Sequence, residues 1–285
     1  MYKIAILGCE NSHANTFLDF IITQKVVTDV EVVGVYSDDK EAAEKLHDKY
    51  GVYVAASYDE FVGKIDGLIV TARHGDNHYK YAKPYISSGI PMFIDKPITI
   101  SEEEATELVA ELKNNHVRAC GGSMCMFASY VQELKKAVKE QELGIVTGGF
   151  LRAPVSVENE YGGFFFYSQH LVQVMCEIFG YNPKAVQVFQ NGGTYTCMFR
   201  YEAYDITAVY EVENNRYYAG ISCEQGVKGS MYTLEGCAKQ EFDMFYRILV
   251  GGEQEQSYEE FIAPVFILNA VYRSMQSGKE EKITL

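Results

Sequence analysis

The sequence contains no tryptophan, and it has no uninterrupted apolar run that approaches the length of a membrane span. A helix needs about 20 consecutive, mostly apolar residues to cross a bilayer. The amino terminus, residues 1–4, also lacks the basic region, apolar stretch and small-residue cleavage site that begin a signal peptide. These absences predict a protein with no membrane partner and a cytoplasmic location.

Cysteine pairs are missing as well. The seven cysteines are an odd number, and no two of them form a Cys-x-x-Cys pair. Disulfide-stabilised secreted proteins and small zinc domains depend on regular cysteine spacing. The scattered pattern therefore favours a reducing compartment.

Basic residues are too few to form a nucleic-acid surface. The chain has 25 Lys and Arg against 39 Asp and Glu, a net charge of -14. A chain this acidic repels a phosphate backbone unless a local basic patch offsets the field. The one basic cluster, at residues 133–140, alternates lysine with glutamate and is typical of a solvated helix face. The sequence thus predicts a small-molecule substrate and no nucleic acid.

The first 121 residues alternate short apolar runs with amphipathic helix patterns. Continuous apolar runs separated by helices indicate a parallel sheet that is covered on both faces. We therefore predict a doubly wound, dinucleotide-binding Rossmann domain over residues 1–121. Its strands are expected at residues 2–7, 30–36, 52–55, 67–71, 91–94 and 117–121, and its helices at 12–22, 39–50, 78–88 and 101–115.

A composition shift at Gly121-Gly122 marks the start of a second domain, over residues 122–285. Its middle carries β-rich runs separated by turn residues, which indicates a largely antiparallel sheet. Alternation along these runs exposes a second set of apolar side chains, and patches of that size rarely stay in water. We predict an α+β domain that binds substrate and forms a homodimer or homotetramer through its sheet. Strands are expected near residues 195–201, 206–212, 217–222 and 230–234, and a closing helix at 258–277.

An acidic-Lys-Pro triplet, Asp95-Lys96-Pro97, closes the apolar strand at 91–94. Ligands of open parallel sheets bind outside the carboxyl ends of the strands. Pro97 removes a backbone donor and restricts the residue before it, so Lys96 is presented at a defined angle where the strand stops. A lysine there can contact substrate. For the triplet alone, the alternative is a solvated surface lysine.

The loop after the first strand departs from the dinucleotide fingerprint. Gly8 begins the Gly-x-Gly-x-x-Gly pattern, but Glu10 and His13 replace its second and third glycines. Those glycines serve close approach of the pyrophosphate and tight helix-strand packing. Glu10 would bring a carboxylate near phosphate unless its side chain turns away. The amides of Asn11 and Ser12, at the start of the helix, still offer donors to an anion.

Cys9, Glu10 and His13 are also residue types that bind metal ions. Adjacent side chains rarely converge on one ion, and the sequence offers no further ligand set. We therefore predict no metal site.

Ser37 stands at the end of the second strand, and Asp38 and Asp39 follow it. In NAD-binding domains an acidic residue at this position hydrogen-bonds the ribose. Asp38 is expected to take the ribose hydroxyls, and the acidic pair would repel the 2′-phosphate of NADP. The predicted cofactor is therefore NAD, with NADP less favoured. The alternative is that Ser37 or Asp38 caps the following helix.

Five segments occur in a characteristic order along the chain: the first strand with Gly8, the strand at 66–71 followed by Asn77-His78, the block at 89–97, Gly162-Gly163 followed by His170, and the tail at 270–279. Together they resemble the Gfo/Idh/MocA family of nicotinamide-dependent oxidoreductases, and the resemblance covers nearly the whole chain. It implies hydride transfer between NAD(P) and a hydroxyl carbon, usually of a sugar, polyol or cyclitol.

The resemblance also implies residue roles. Lys96 would bind or polarise the reacting oxygen and His170 would act as general acid/base, since histidine titrates near neutrality and a cation favours developing alkoxide. We expect both side chains to face one cleft. Loop packing is the alternative for Asn77 and His78. The residues expected to bind the cofactor are Gly8, Glu10, Asn11, Ser12, His13, Ser37, Asp38, Thr71, Asn77, His78, Asp95 and Lys96.

Phe166 stands where many family members carry an aspartate, four residues before the histidine. Without that carboxylate, the pKa and the tautomer of His170 must be set by other groups. Tyr167 is the predicted hydroxyl partner in the catalytic site, and Tyr161 is a second candidate; both are equally consistent with core aromatics. These departures leave a rival function open, a ligand-sensing or scaffold protein that keeps the fold without turnover.

Overall fold

The computed structural model describes residues 1–284, and contacts divide them into two compact units. The first unit consists of Met1–Gly122 and Ala238–Phe261, and the second of Ser123–Cys237 and the residues from Ile262 onward. The predicted domain boundary after residue 121 stays a prediction; this grouping differs from it because residues 238–261 return to the first unit. Within residues 1–284, no helix combines the length and apolar character that a membrane crossing requires.

The strands, in chain order, are β1 (Tyr2–Leu7), β2 (Val30–Tyr36), β3 (Gly67–Val70), β4 (Met92–Asp95), β5 (Ala119–Gly122), β6 (Val146–Pro154), β7 (Ala185–Asn191), β8 (Thr194–Arg200), β9 (Asp205–Glu211), β10 (Tyr217–Cys223), β11 (Gly226–Tyr232) and β12 (Glu281–Lys282). The α-helices are α1 (Ser12–Leu18), α2 (Lys40–Tyr50), α3 (Asp76–Ile86), α4 (Glu102–Asn114), α5 (Ser129–Lys139), α6 (Phe165–Phe179), α7 (Cys237–Leu249) and α8 (Tyr258–Ser277).

The first unit is built on a five-stranded parallel sheet with the order β2-β1-β3-β4-β5. This confirms the predicted doubly wound sheet. Every residue of β3 and β4 is buried, which is why their sequences read as continuous apolar runs rather than alternating ones. All five strands run in one direction, so their carboxyl ends lie along the same edge of the sheet.

Two predicted elements of this unit differ from the structure. The helix expected at 12–22 is α-helical only as far as Leu18 and continues as a π-helical segment, Asp19–Thr23. The strand expected at 52–55 is reduced to a single bridge between Val54 and Val35. Only one pair of residues meets there because bends and turns begin at residue 56.

The second unit contains a seven-stranded sheet with the order β11-β10-β6-β9-β8-β7-β12. Neighbouring strands are antiparallel except β6 and β9, which are parallel, so the predicted mostly antiparallel sheet is confirmed. The interior strand β6 carries Gly148-Gly149, residues that weaken a strand signal. Gly149 has no room for a side chain, because a Cβ would lie 2.3 Å from the Phe179 ring of α6.

The two faces of this sheet differ. On the face with Gly149, the hydroxyl of Tyr210 in β9 donates to the carbonyl of Ser168 in α6 over 2.7 Å, so this face packs on a helix. Because successive side chains of a strand point to opposite faces of the sheet, the neighbours of these residues in sequence lie on the other face. This second face, which we call the open face, carries exposed apolar side chains from four strands: Phe150, Phe189, Met198, Val227 and Met231.

Candidate active site

In the first unit, most of the predicted site residues lie where β1, β2, β3 and β4 end. Gly8 follows β1 in the left-handed region, with φ of 72°, and a Cβ on it would lie 2.4 Å from Ala72. Both the φ angle and the close approach require glycine. Thr71, fully buried, donates its hydroxyl to the Gly8 carbonyl over 3.1 Å. The turn after β1 is therefore held directly against the end of β3.

Glu10 replaces the second glycine, and protein donors engage its carboxylate on both sides. Oε2 accepts from the Ser37 hydroxyl at 2.6 Å, and Oε1 accepts from the Arg73 amide at 2.9 Å. Ser37 follows β2 and Arg73 follows β3. Glu10 therefore links three strand ends, and its charge is partly satisfied within the protein.

Asp38 remains open to a ligand. Its carboxylate accepts from the hydroxyls of Tyr36 (2.6 Å) and Tyr81 (2.7 Å), and its side chain is 54% exposed. The hydrogen bond from Tyr36 lowers the pKa of Asp38. The helix cap is Asp39, whose carboxylate accepts from the Ala42 amide. The capping alternative for Ser37 and Asp38 is therefore wrong, because the next residue takes that role.

The residues at the start of α1 divide between solvent and interior. Asn11 caps the helix, accepting from the His13 amide, and donates its side-chain amide to Asp95 over 3.2 Å. Ser12 is exposed. His13 points inward, with its Nδ1 atom 2.9 Å from Asp95 Oδ2 and 3.5 Å from Glu241 Oε2. The structure thus groups His13 with Asp95 and Glu241, and not with Cys9 and Glu10.

Burial and charge both act on the titration of this buried triad, and they oppose each other at His13 and Asp95. Burial by itself lowers the pKa of His13, but the charges of Asp95 and Glu241 raise it to about 9. Burial also opposes ionisation of Asp95, yet the charge of His13 lowers the pKa of that carboxyl. Burial raises the pKa of Glu241 to about 8. These shifts favour an ion pair between His13 and Asp95, while burial disfavours the charged form of Glu241.

Lys96 is 5% exposed at the end of β4. This burial excludes the alternative of a solvated surface lysine. Its backbone amide donates to Asp95 Oδ1 over 2.7 Å, and its bond to Pro97 is cis. Asp95 is completely buried, so the acidic residue of the triplet holds the backbone that presents the lysine.

His78 and Asn77 lie in α3. His78 is fully buried, with Nδ1 2.5 Å from the Pro97 carbonyl and Nε2 2.8 Å from the Ala72 carbonyl. Burial lowers its pKa. Both ring nitrogens contact backbone, so this geometry favours the packing alternative, in which His78 ties the Lys96-Pro97 segment to the end of β3. Asn77 is half-buried, and its backbone amide donates to His74.

His170 lies in α6 of the second unit and is 3% exposed. Its Nδ1 atom is 2.6 Å from the Ser123 hydroxyl and 3.4 Å from the Cys125 sulfur. Ser123, also buried, caps a short 3₁₀ helix by accepting from the Cys125 amide over 3.2 Å. A hydroxyl that accepts this bond can still either donate to Nδ1 or accept from it. Ser123 therefore supplies a hydroxyl partner of His170, a role for which the sequence offered Tyr167 and Tyr161.

Aromatic side chains complete this second cluster. The rings of Tyr167 and His170 meet edge to face, with centroids 4.6 Å apart. Tyr167 therefore contacts the imidazole through its ring, and its prediction as a catalytic hydroxyl stays a prediction. Phe166 and Tyr161 contact each other, with centroids 5.1 Å apart.

Ser123 and Glu241 are the two site residues that the sequence did not predict. Ser123 had a usable signal, because it is the first polar residue after β5 and strand ends of parallel sheets carry ligand contacts. Glu241 had none. It lies in an ordinary amphipathic helix, α7, far along the chain from the strands it contacts.

Comparison with known proteins identifies the first unit. Residues 2–122 match the family model described as the oxidoreductase family with an NAD-binding Rossmann fold. Glucose-6-phosphate 3-dehydrogenase of Bacillus subtilis (strain 168) is 29% identical over 147 residues, which are 50% of this chain and 40% of that protein. The chain therefore matches less than half the length of this relative.

Solved structures extend the likeness to the whole chain at the level of the fold. Myo-inositol dehydrogenase from Lactobacillus casei, in complex with NAD(H) and myo-inositol, superposes with a TM-score of 0.87 at 15% identity, covering 100% of this chain and 97% of that one. Myo-inositol 2-dehydrogenase from Lactobacillus plantarum gives a TM-score of 0.86 at 15% identity, covering 99% of each chain. The predicted fold class is confirmed. Residues 2–122 therefore match the oxidoreductase family with an NAD-binding Rossmann fold that the sequence resembles, and the whole chain shares the fold of these dehydrogenases.

Proposed function

We propose that this protein is an NAD-dependent dehydrogenase that transfers a hydride between the nicotinamide ring and a hydroxyl or carbonyl carbon of a sugar, polyol or related small molecule. The observation that carries the proposal is the burial of Lys96 at the carboxyl end of β4. Lysine is almost never fully buried unless it is paired, and this strand lies within residues 2–122, which match the NAD-binding family.

The residues of the first unit fit NAD. Gly8 keeps the tight turn of the fingerprint, and Glu10 is engaged by Ser37 and Arg73, so its carboxylate is stabilised in place. Asp38 offers a half-exposed carboxylate after β2 for the adenosine ribose. The ammonium of Lys80 lies 3.5 Å from the Asp38 carboxylate. We propose that Asp38 nevertheless remains the group that contacts the ribose. When bound, NAD supplies the carbon that takes or gives the hydride.

Lys96 and His170 divide the chemistry in this proposal. The ammonium of Lys96 stabilises negative charge that develops on the reacting oxygen. His170 takes the hydroxyl proton during oxidation, with its Nδ1 atom in contact with the Ser123 hydroxyl. As the imidazole becomes cationic, Nδ1 donates to the Ser123 oxygen, which accepts in place of a carboxylate.

Hydride transfer is tested with purified protein, NAD and a panel of inositols, sugars and sugar phosphates, by following the absorbance of reduced nicotinamide. We expect turnover with at least one panel member, and tighter binding of NADH than of NADPH by calorimetry. The rival function, a ligand sensor or scaffold, predicts no turnover across the panel. Failure of both nucleotides to bind at millimolar concentration would favour the scaffold and overturn the dehydrogenase.

Lys96→Ala separates chemistry from binding. We expect kcat to fall about 10²–10³-fold with little change in NADH affinity, because the ammonium acts on charge that develops only in the transition state. Lys64→Ala, at an exposed lysine of the same unit, is the matched control and should keep full activity. A Lys96 variant that loses NADH binding and keeps kcat would assign the lysine to the cofactor alone.

The open face of the second sheet favours a second copy of this chain as its partner. Phe150 and Met198 lie on neighbouring parts of that face, each about 40% exposed. Apolar side chains clustered on one flat face are typical of subunit interfaces. Sedimentation should show a dimer or tetramer at micromolar concentration, shifted toward monomer by Phe150→Glu. Val62→Glu, at an exposed apolar residue of the first unit, should leave the assembly unchanged.

A further inference from the structure

Three buried side chains of the first unit converge on one point. His13, Asp95 and Glu241 each offer a ligand atom, and these atoms lie within 4.8 Å of one another. We propose that His13 Nδ1 and the carboxylates of Asp95 and Glu241 bind one divalent transition-metal ion. This proposal does not depend on the proposed hydride transfer, although Asp95 also holds the backbone of Lys96.

The distances match those between ligands of a common ion. Ligand atoms about 2.0–2.2 Å from one ion lie about 3.0 Å apart at neighbouring corners of an octahedron and about 3.4 Å apart in a tetrahedron. His13 Nδ1 is 2.9 Å from Asp95 Oδ2 and 3.5 Å from Glu241 Oε2. These two distances are close to the ideal ones, and all three ligand atoms lie within 4.8 Å of one another.

The hydrogen bonding of the triad is incomplete in a way that an ion would complete. Glu241 is 1% exposed, and neither of its carboxylate oxygens has a hydrogen-bond partner among residues 1–284. His13 Nδ1 lies 2.9 Å from Asp95 Oδ2 and has no further hydrogen-bond partner in that range. A buried polar group without a partner costs free energy. Coordination would satisfy all of these atoms at once.

Asp95 is already oriented by a second layer of contacts. Its two oxygens accept from the Asn11 side-chain amide and from the Lys96 backbone amide. Phe17 contacts both His13 and Phe242, with ring centroids 6.1 Å and 5.7 Å apart. Hydrogen bonds that fix a ligand carboxylate and an apolar wall around it are general features of metal sites.

The donor set selects the class of ion. One imidazole nitrogen and two carboxylate oxygens suit Mn²⁺, Fe²⁺ or Zn²⁺, whereas Mg²⁺ and Ca²⁺ prefer oxygen donors alone. The Lys96 charge acts on all three residues and opposes a cation. Two carboxylates in direct contact with the ion would supply two negative charges against the one positive charge of the ammonium.

The test measures metal content and affinity without nucleotide or substrate, so its failure is distinct from failure of the proposed dehydrogenase activity. Tag-free protein is stripped with a chelator, titrated with Zn²⁺ and separately with Mn²⁺ by calorimetry, and analysed for metal after desalting. We expect one ion per chain for at least one of the two metals, with a higher melting temperature in the loaded protein.

Glu241→Gln is the decisive variant. Without metal it should melt at or above the wild-type temperature, because an unpartnered buried carboxyl has been replaced by a neutral amide. With metal it should bind on the order of 100-fold more weakly and lose the rise in melting temperature. Glu44→Gln, at an exposed glutamate of α2, should behave as wild type in both measurements.

Two results would overturn the site. One is a stripped, folded protein that binds neither metal at micromolar concentration, which would leave the triad as a proton-sharing group. The other is unchanged binding in Glu241→Gln, which would assign the ion to another place such as the cysteines. His13→Gln is a second ligand variant and should weaken binding as Glu241→Gln does.

Discussion

Each unit holds a buried histidine from the predicted site, and the two have opposite surroundings. His13 lies against two carboxylates, and their charges hold its pKa at about 9. His170 lies against the Ser123 hydroxyl, the Cys125 sulfur and the ring of Tyr167, contacts that carry no formal charge. A strong anionic neighbour fixes an imidazole in one charge state, whereas a hydroxyl accommodates either state. This difference in neighbours supports the proposal that His170, rather than His13, exchanges the proton.

The largest effect is expected at His170. His170→Ala should lower kcat about 10²–10⁴-fold, the range for loss of a general acid/base, and should flatten the pH-rate profile. The measurement is kcat across the pH range, with His116→Ala at an exposed histidine as control. If His170→Ala stays active with an unchanged pH-rate profile, His170 is not the acid/base. Tyr167, Tyr161 or water would then transfer the proton.

Gly8→Ala would show how much the stability of the first unit depends on the backbone conformation and close packing at Gly8. A left-handed alanine costs about 1–2 kcal/mol, and the added Cβ would also collide with Ala72. We expect a loss of unfolding free energy of about 2–4 kcal/mol, measured by urea denaturation. Gly63→Ala is the matched control, since φ is 73° there and nothing lies within 4 Å of the new Cβ. Equal losses in the two variants would mean that only the φ angle matters.

Ser123→Asp would give His170 the kind of neighbour that His13 has. The carboxylate favours the protonated imidazole, so the acidic limb of the pH-rate profile should move up by about 1 pH unit. Ser123→Asn, which adds a similar volume without charge, should not move it. An unmoved limb in Ser123→Asp would show that His170 does not set the profile.

The smallest effect is expected at Asp38, where Tyr36 provides the main stabilising hydrogen bond. In Tyr36→Phe the pKa of Asp38 should rise toward its ordinary value of about 3.9, as measured by NMR titration. Because the folded pKa is lowered, the hydrogen bond stabilises the fold above about pH 4 and the effect is lost as pH falls through the folded pKa. Tyr53→Phe, which removes a similar contact with Glu60, should leave Asp38 unchanged.

Local signals made the first unit largely predictable. The apolar runs predicted β1, β3 and β4, and the Asp95-Lys96-Pro97 triplet predicted a lysine at a strand end. These features could be predicted because they depend on residues that are neighbours in sequence. The same reasoning gave β8, β9 and β10 in the second unit. The environments of individual side chains were harder to predict from the sequence. Asp39 rather than Asp38 caps α2, a one-residue choice that depends on where the helix begins.

Contacts across long stretches of sequence were beyond prediction. His13 and Glu241 meet only because α7 packs on the first unit, and an amphipathic helix carries no mark of which sheet it will cover. Likewise, β6 was not predicted because its glycines weaken the strand pattern, while the reason for Gly149 lies in the Phe179 ring. Such residues are explained by tertiary packing, which outweighs local propensity.

The return of residues 238–261 to the first unit has a consequence for biosynthesis. A ribosome completes the five strands of that unit by residue 122, but Phe242 and Phe245, 1% and 0% exposed, emerge only after most of the second unit has been made. Domains usually fold from the amino terminus as they emerge. Until residues 238–261 have been made, the apolar surface around Phe17 and Gly67 stays uncovered. In the finished protein Phe17 packs against Phe242, and Gly67 lies beside Phe245. An expression fragment that stops at residue 122 would carry that uncovered surface permanently.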